Sequence, residues 1–204
     1  RVEVVDSINL AVRMVSNQLR HVARVVLDLA PGLAVSADQS RLGQVMINVL
    51  VNAIQAFEAP GDPANQITIT SAQIDGEILI LVRDNASGVP PAVVGRIFDP
   101  FFTTRPVGVG TGLGLAICHG IVTALGGRIA VESKLGVGTT VRVTLPPWAP
   151  GATQTAVAAL GVAAAGPRAR VMIIEDDVLV ARSFQRNLSR DCDVTVHHDA
   201  RDAL

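Results

Sequence analysis

Cysteine is scarce in this chain of 204 residues: Cys118 and Cys192 are its only two, and no CxxC spacing joins them. Neither a disulfide framework nor a zinc site is expected from that pattern. An excess of either charge is missing too, because 17 Lys and Arg against 18 Asp and Glu leave a net charge of −1. Without a basic field the chain lacks the electrostatic footprint of a nucleic-acid binder, and no nucleic-acid partner is expected. No apolar run approaches the roughly 20 residues that span a bilayer, and no signal-peptide pattern opens the chain. The length holds one full domain and part of another. The pattern is already under way at Arg1, as in a piece cut from a longer protein. This composition agrees with a cytosolic domain.

What the chain does have is a glycine-punctuated stretch at residues 98–115, FDPFFTTRPVGVGTGLGL, running into the apolar helical pattern LGLAICHGIVTAL. Gly108, Gly110, Gly112 and Gly114 let backbone amides approach a ligand closely, since no Cβ intervenes. The free N–H groups and partial positive charge of the helix start that follows suit phosphate. A flexible linker or a tight turn has a similar composition. Residues 38–57, DQSRLGQVMINVLVNAIQAF, repeat apolar side chains at three- and four-residue steps: Leu42, Val45, Met46, Val49, Leu50, Ala53, Ile54 and Phe57. At about 100° per residue, Arg41, Gln44, Asn48, Asn52 and Gln55 share the opposite face. Two asparagines one turn apart offer hard oxygen ligands suited to Mg²⁺; a solvated polar face has the same pattern. Residues 78–82 predict a buried strand ending in Asp84-Asn85-Ala86-Ser87-Gly88, where a carboxylate can accept from an exocyclic amine, although DNASG also suits a plain turn. Gly136-Val137-Gly138-Thr139-Thr140 joins two alternating runs, 128–132 and 141–145, as a hairpin.

In this order and spacing the four segments resemble the catalytic and ATP-binding domain of sensor histidine kinases, within the gyrase/Hsp90-type ATPase superfamily. The likeness covers about residues 1–147. Asn48 and Asn52 match the asparagine box, DNASG the first glycine box, FDPFF the phenylalanine box, GTGLGL the second glycine box and GVGTT the third. The resemblance implies that Asn52 ligates a Mg²⁺ bridging the ATP phosphates, with Asn48 beside the triphosphate. It implies that Asp84 holds the adenine amino group, with Gly88 beside the ring and Thr139 touching it directly or through water. Gly110, Thr111, Gly112, Leu113, Gly114 and Leu115 would surround the phosphates, with backbone amides of this loop as the cradle. Phe98, Phe101 and Phe102 would anchor a mobile lid. Arg105 stands where the family usually has a lysine aimed at phosphate, and can contact it bidentately. Ala86 replaces the middle glycine of the family's DxGxG, so that turn must form without a positive φ or with mild strain. In the superfamily's ATP-hydrolysing members a glutamate acts as base four residues before the metal-binding asparagine; here that position holds Asn48.

A histidine kinase stores phosphate on a histidine, yet none of the four here suits that role. His21 follows an amphipathic segment (Ile8, Val12, Val15, Leu19) and precedes a strand-like run, as a helix–strand junction residue. The family's phosphoacceptor is typically followed by an acidic residue, whereas Val22 follows His21. His119 falls inside the helix after the glycine loop as a structural residue, and His197 and His198 end another expected strand. The phosphoacceptor and its dimerisation helices are therefore expected upstream of Arg1, as is homodimerisation of the full-length protein. Cys118 is expected to pack in the core.

Residues 148–168 read as an Ala/Gly/Pro-rich linker, a short Ala-rich helix at 156–165 being the alternative, with Trp148 covering the domain edge. Beyond it, an apolar strand at 170–174 ends in Glu175-Asp176-Asp177, followed by a helical pattern and a second strand at 194–196. This order in residues 169–204 resembles the start of a response-regulator receiver domain, which would place Glu175 and Asp176 at a Mg²⁺ site. Clustered carboxylates favour a cation physically, although acidic residues also cap helices. The family's phosphorylated aspartate would fall after Leu204. The expected fold is an α/β sandwich of the Bergerat type, a mixed sheet covered on one face by three helices with ATP between helices and lid, followed by a partial flavodoxin-like receiver. The expected activity is the ATP-dependent phosphorylation of a histidine on the upstream helices, with receiver or phosphotransfer domains as further partners. An ATP-hydrolysing conformational switch and an inactive nucleotide-binding scaffold are the alternatives.

Overall fold

Apolar side chains three and four apart open the chain as a helix, and strict alternation takes over after residue 24. The computed structural model describes residues 1–103, 111–149, 169–174, 185 and 192–197. A short strand β1 (Val2–Glu3) leads into helix α1 (Val4–Met14), whose Val4, Ile8 and Ala11 are fully buried. Helical geometry breaks at Val15 and resumes in α2 (Ser16–Leu19), so the expected amphipathic segment is two helices; His21 lies in the turn before β2 (Arg24–Leu29). After β3 (Ala34–Val35), which pairs antiparallel with β1, comes α3 (Gln39–Ile54). Asp38 caps α3, its carboxylate accepting the Ser40 N–H at 2.7 Å. The apolar stripe of α3 faces inward from Leu42 to Ile54, while Arg41, Gln44 and Gln55 are exposed.

Strands β4 (Gln66–Ile74) and β5 (Glu77–Asp84) form a hairpin through Asp75-Gly76. Both turn residues have positive φ, 52° and 81°, as a two-residue type I′ turn requires. Short α4 (Pro91–Val94) precedes the glycine-rich stretch; α5 (Gly114–Ala124), β6 (Arg128–Lys134) and β7 (Gly138–Leu145) follow it. The sheet runs β2-β4-β5-β7-β6, mixed because β2 lies parallel to β4 while the other pairs are antiparallel. Alternation sends Ile67 and Ile69 of β4, Ile78, Ile80 and Val82 of β5, and Val141, Val143 and Leu145 of β7 into one core. That core also takes the inner faces of α1, α3 and α5, so three helices cover one face of the sheet.

Register matters most at one end of this sheet. Val82 pairs with Val141, and Val141 with Val131; one step along, Asp84 pairs with Thr139, and Thr139 with Ser133. A two-residue step keeps side chains on the same face. The helix-facing side of β5-β7-β6 therefore carries a row of three valines beside a row of three polar residues. At the other end, the Trp148 N–H donates to Ala34 O at 2.6 Å, and the Arg1 guanidinium lies 5.0 Å from the Trp148 ring centroid. Trp148 thus covers an edge of the fold, as its sequence position suggests.

The chain divides into Arg1–Thr155 and Ala156–Leu204. In the second unit, β8 (Ala169–Ile174) pairs parallel with β9 (Cys192–His197), in register from Ala169↔Cys192 to Ile174↔His197. Residues 150–168, which make up nearly all of the expected linker, lie outside the described residues, as do Glu175 and Asp176. No helix among the described residues is long and apolar enough to cross a membrane.

Candidate functional site

Asp84 is the last residue of β5 and keeps only 5% of its surface, because alternation turns it inward beside the apolar rows. Its Oδ1 accepts two backbone N–H groups, Ala86 at 3.0 Å and Thr139 at 3.1 Å. Among the described residues Oδ2 has no partner. Burial raises the carboxyl above its usual 3.8, against the lowering pull of those two amides. The turn after Asp84 forms without a positive φ at Ala86, which is buried; Gly88 supplies the positive φ instead, at 72°. A Cβ on Gly88 would collide with the Lys134 carbonyl, and one on Gly138 with the Asp84 carbonyl. Both glycines are therefore fixed by close backbone approach as well as by φ.

Across the cavity, α3 presents Asn48 and Asn52, one turn apart and half-buried. Asn48 Nδ2 donates to Gly114 O at 3.3 Å, tying α3 to the first turn of α5. Below it, the fully buried Cys118 donates its S–H to Val45 O at 3.7 Å; desolvation pushes the thiol up to about 11. Cys118 is a core residue, as expected. Ahead of α5, the Phe101 N–H donates to Gly112 O at 3.0 Å, joining the two described flanks of the glycine-rich stretch. Phe101 takes φ 65°, unusual for a bulky residue, and is 75% exposed. A Cβ on Gly112, itself at φ 65°, would strike the Phe101 backbone. The Phe102 ring lies 4.6 Å beneath the Arg96 guanidinium, which also approaches Asp99 at 3.6 Å.

These groups enclose one cavity of about 750 Å³. Asp84, Gly88 and Thr139 stand with Val82, Val131 and Val141; Asn48, Asn52, Phe102, Thr111, Gly112, Gly114 and Leu115 complete the set of expected lining residues. Such a volume suits a nucleotide. The valine row gives a flat apolar floor, Asp84 an acceptor for an amine, and the α5 start a set of amides without intrahelical partners. Not every expected residue lines it. Phe98 packs instead on His119, ring centroids 5.6 Å apart, and so braces the segment before the loop against α5. Leu113 precedes α5, and its N–H points to Thr111 Oγ1 at 3.4 Å. Arg105 and Gly110 lie outside the described residues. Ser133, Ser87 and the valine floor were not singled out by motif reading, though alternation of β6 and β7 marks Val131, Ser133, Thr139 and Val141 as one face.

A mixed sheet under three helices, with an acidic strand end facing two asparagines and a glycine-rich helix start, defines the class of ATP-binding domain that this sheet order builds. Residues 37–149 match the family model described as histidine kinase-, DNA gyrase B-, and HSP90-like ATPase. The chain belongs to that family, and among its members it is a histidine kinase type of ATPase domain. The C4-dicarboxylate transport sensor protein DctB of Pseudomonas aeruginosa is 34% identical over 152 residues, 74% of this chain and 25% of that protein. The signal transduction histidine-protein kinase AtoS of Escherichia coli is 42% identical over 113 residues, 55% of this chain and 18% of AtoS. This chain therefore spans a quarter or less of these relatives. The mycobacterial sensor histidine kinase MprB superimposes with TM-score 0.63 at 28% identity, over 72% of this chain and 95% of that structure. Full-length ShkA, solved in complex with AMPPNP, gives TM-score 0.63 at 25% identity, over 99% of this chain and 41% of that one.

Proposed function

We propose that this chain is the ATP-binding catalytic part of a hybrid sensor histidine kinase, acting in the cytoplasm. The observation that carries the reading is the buried Asp84 carboxylate, with Oδ2 open, in the same cavity as the paired asparagines and the start of α5. The residues fit ATP. Asp84 Oδ2 accepts from the adenine amine, the valine floor and Gly88 take the ring, and Thr139 stands beside it. Gly112, Gly114 and Leu115 offer amides to phosphate, with Arg105 adding charge. Asn52 supplies a hard oxygen for Mg²⁺, and Asn48 fixes the α5 start from the same face. A Mg²⁺ held at Asn52 would supply charge neutralisation to the triphosphate.

The work of the chain in phosphoryl transfer is positioning and charge stabilisation. The incoming nucleophile is an imidazole nitrogen on dimerisation helices outside this chain. It forms a bond to the γ-phosphorus as the bond to the β–γ bridging oxygen breaks, and ADP leaves. Asn48 has no proton-accepting role near neutral pH, so it provides no base for water. ATP is thereby kept for the histidine. In this reading the domains are 1–147, a linker at 148–168 and the start of a receiver at 169–204, with Glu175 and Asp176 at its Mg²⁺ site. The parallel β8–β9 pair and the extent of the ShkA match support the receiver. Partner helices, homodimerisation and receiver or phosphotransfer domains belong to the full-length protein.

Labelled ATP tests the reading directly. With separately supplied dimerisation helices bearing a histidine, acid-labile label should pass to the helices, and none should form on His21, His119, His197 or His198. Sustained phosphate release near about 10 per second without helices would favour the hydrolytic switch instead. Neither label nor release, with ATP bound, would favour an inactive scaffold.

A further inference from the structure

Ser133 faces the nucleotide end of the sheet and is bound to three groups on two segments, the Gly88–Val89 turn and the start of β7. Its Oγ accepts the Val89 N–H at 2.7 Å, lies 3.0 Å from Gly138 O and lies 2.9 Å from Thr139 Oγ1. Val89 follows the Gly88 turn, Gly138 closes the hairpin, and Thr139 is the register partner of Asp84. A serine hydroxyl has a single proton and two lone pairs. With the Val89 N–H filling one lone pair, the proton goes either to Gly138 O or to Thr139 Oγ1. In the first arrangement Thr139 donates to Ser133 and faces the cavity as an acceptor. In the second Thr139 receives the proton and turns its own toward the cavity.

We propose that Ser133 is a positioning residue for base recognition: it orients the Thr139 hydroxyl and pins the Gly88–Val89 turn on either side of Asp84, so that the site distinguishes purines bearing a 6-amino group. The inference rests on the nucleotide reading above and deepens it. Ser133 does not line the cavity; it acts through Thr139 and Val89. Removing the hydroxyl leaves the Val89 N–H without its acceptor and lets Thr139 rotate, and both changes fall beside the Asp84 carboxylate. The phosphate end, held by the Asn48–Gly114 and Phe101–Gly112 bonds, is untouched.

The test is calorimetric titration of the whole chain with Mg²⁺ and either ATP or purine riboside triphosphate, which lacks the 6-amino group. Wild type should prefer ATP. Ser133→Ala should narrow that preference about five- to tenfold, as expected for one lost hydrogen bond, mainly through weaker ATP binding. Ser133→Thr and Ser133→Val, near-isosteric and both suited to a strand, make the same comparison at equal volume. Thr should keep the preference and Val should lose it. A merely structural serine would weaken both ligands alike, so an unchanged ratio in Ser133→Ala, or equal ratios in the Thr and Val chains, would overturn the proposal. A wild-type chain that binds neither nucleotide would overturn the nucleotide reading itself.

Discussion

Thr139 and Asp84 face each other across β7 and β5, and the Thr139 N–H donates to Asp84 Oδ1 at 3.1 Å. This one pairing links the third glycine box to the first. It commits one carboxylate oxygen to the protein and leaves the other without a partner among the described residues, so the hairpin end and the strand end line the cavity together. Gly138 makes the approach possible, because any Cβ there would strike the Asp84 carbonyl.

Asp84 should trade stability for binding. Burial raises its carboxyl above 3.8, so the folded chain holds that proton more tightly than the unfolded chain does. Stability from this group is thus full when it is protonated, and is lost as pH rises from 3.8 through the folded value. Asp84→Asn keeps an acceptor for Ala86 and Thr139 but carries no charge. It should melt higher than wild type at pH 7, with the difference closing as pH falls through the folded value and flat below 3.8, and should lose most ATP affinity. A lower melting temperature at pH 7 would contradict this.

Gly88→Ala should cost about 2–5 kcal/mol, the sum of a left-handed backbone and a clash with the Lys134 carbonyl. Gly32 has a similar φ of 73° with nothing near its absent Cβ, so Gly32→Ala should cost only about 1–2 kcal/mol. Urea midpoints of the two variants measure the difference. Equal losses would mean that the close approach at Gly88 has no energetic consequence.

Cys118 should be inert. Its thiol is fully buried and pushed up to about 11, so at pH 8 almost none is thiolate. In a Cys192→Ser chain, a maleimide should react only as fast as the protein unfolds, and reaction should speed up in urea. Rapid labelling of the folded chain would show that the α3–α5 contact opens readily.

Much of this was legible in the sequence where period and chemistry coincide. The apolar stripe of α3 and the asparagines opposite it follow from helical spacing, and the β6–β7 hairpin follows from alternation about GVGTT. Strand β4 was less visible among the motifs, although QITITSAQI alternates and Asp75-Gly76 after it is a strong hairpin signal. The break at Val15 leaves little trace, because the apolar spacing continues straight through it. Phe98, expected as a lid anchor, packs its ring on His119, a partner set by tertiary geometry that the phenylalanine box does not specify. Ser133 carries no motif signal, because one of its partners, Val89, is 44 residues away and the others lie across the hairpin.

Binding of Mg·ATP in this cavity is measured by calorimetric titration of the chain with ATP in the presence of Mg²⁺. The dissociation constant should fall between micromolar and millimolar, about −4 to −8 kcal/mol. Asp84→Ala should weaken binding with or without the metal, whereas Asn52→Ala should remove chiefly the part that depends on Mg²⁺. Absence of any ATP binding by the wild-type chain with Mg²⁺ present would rule out a nucleotide site in this cavity.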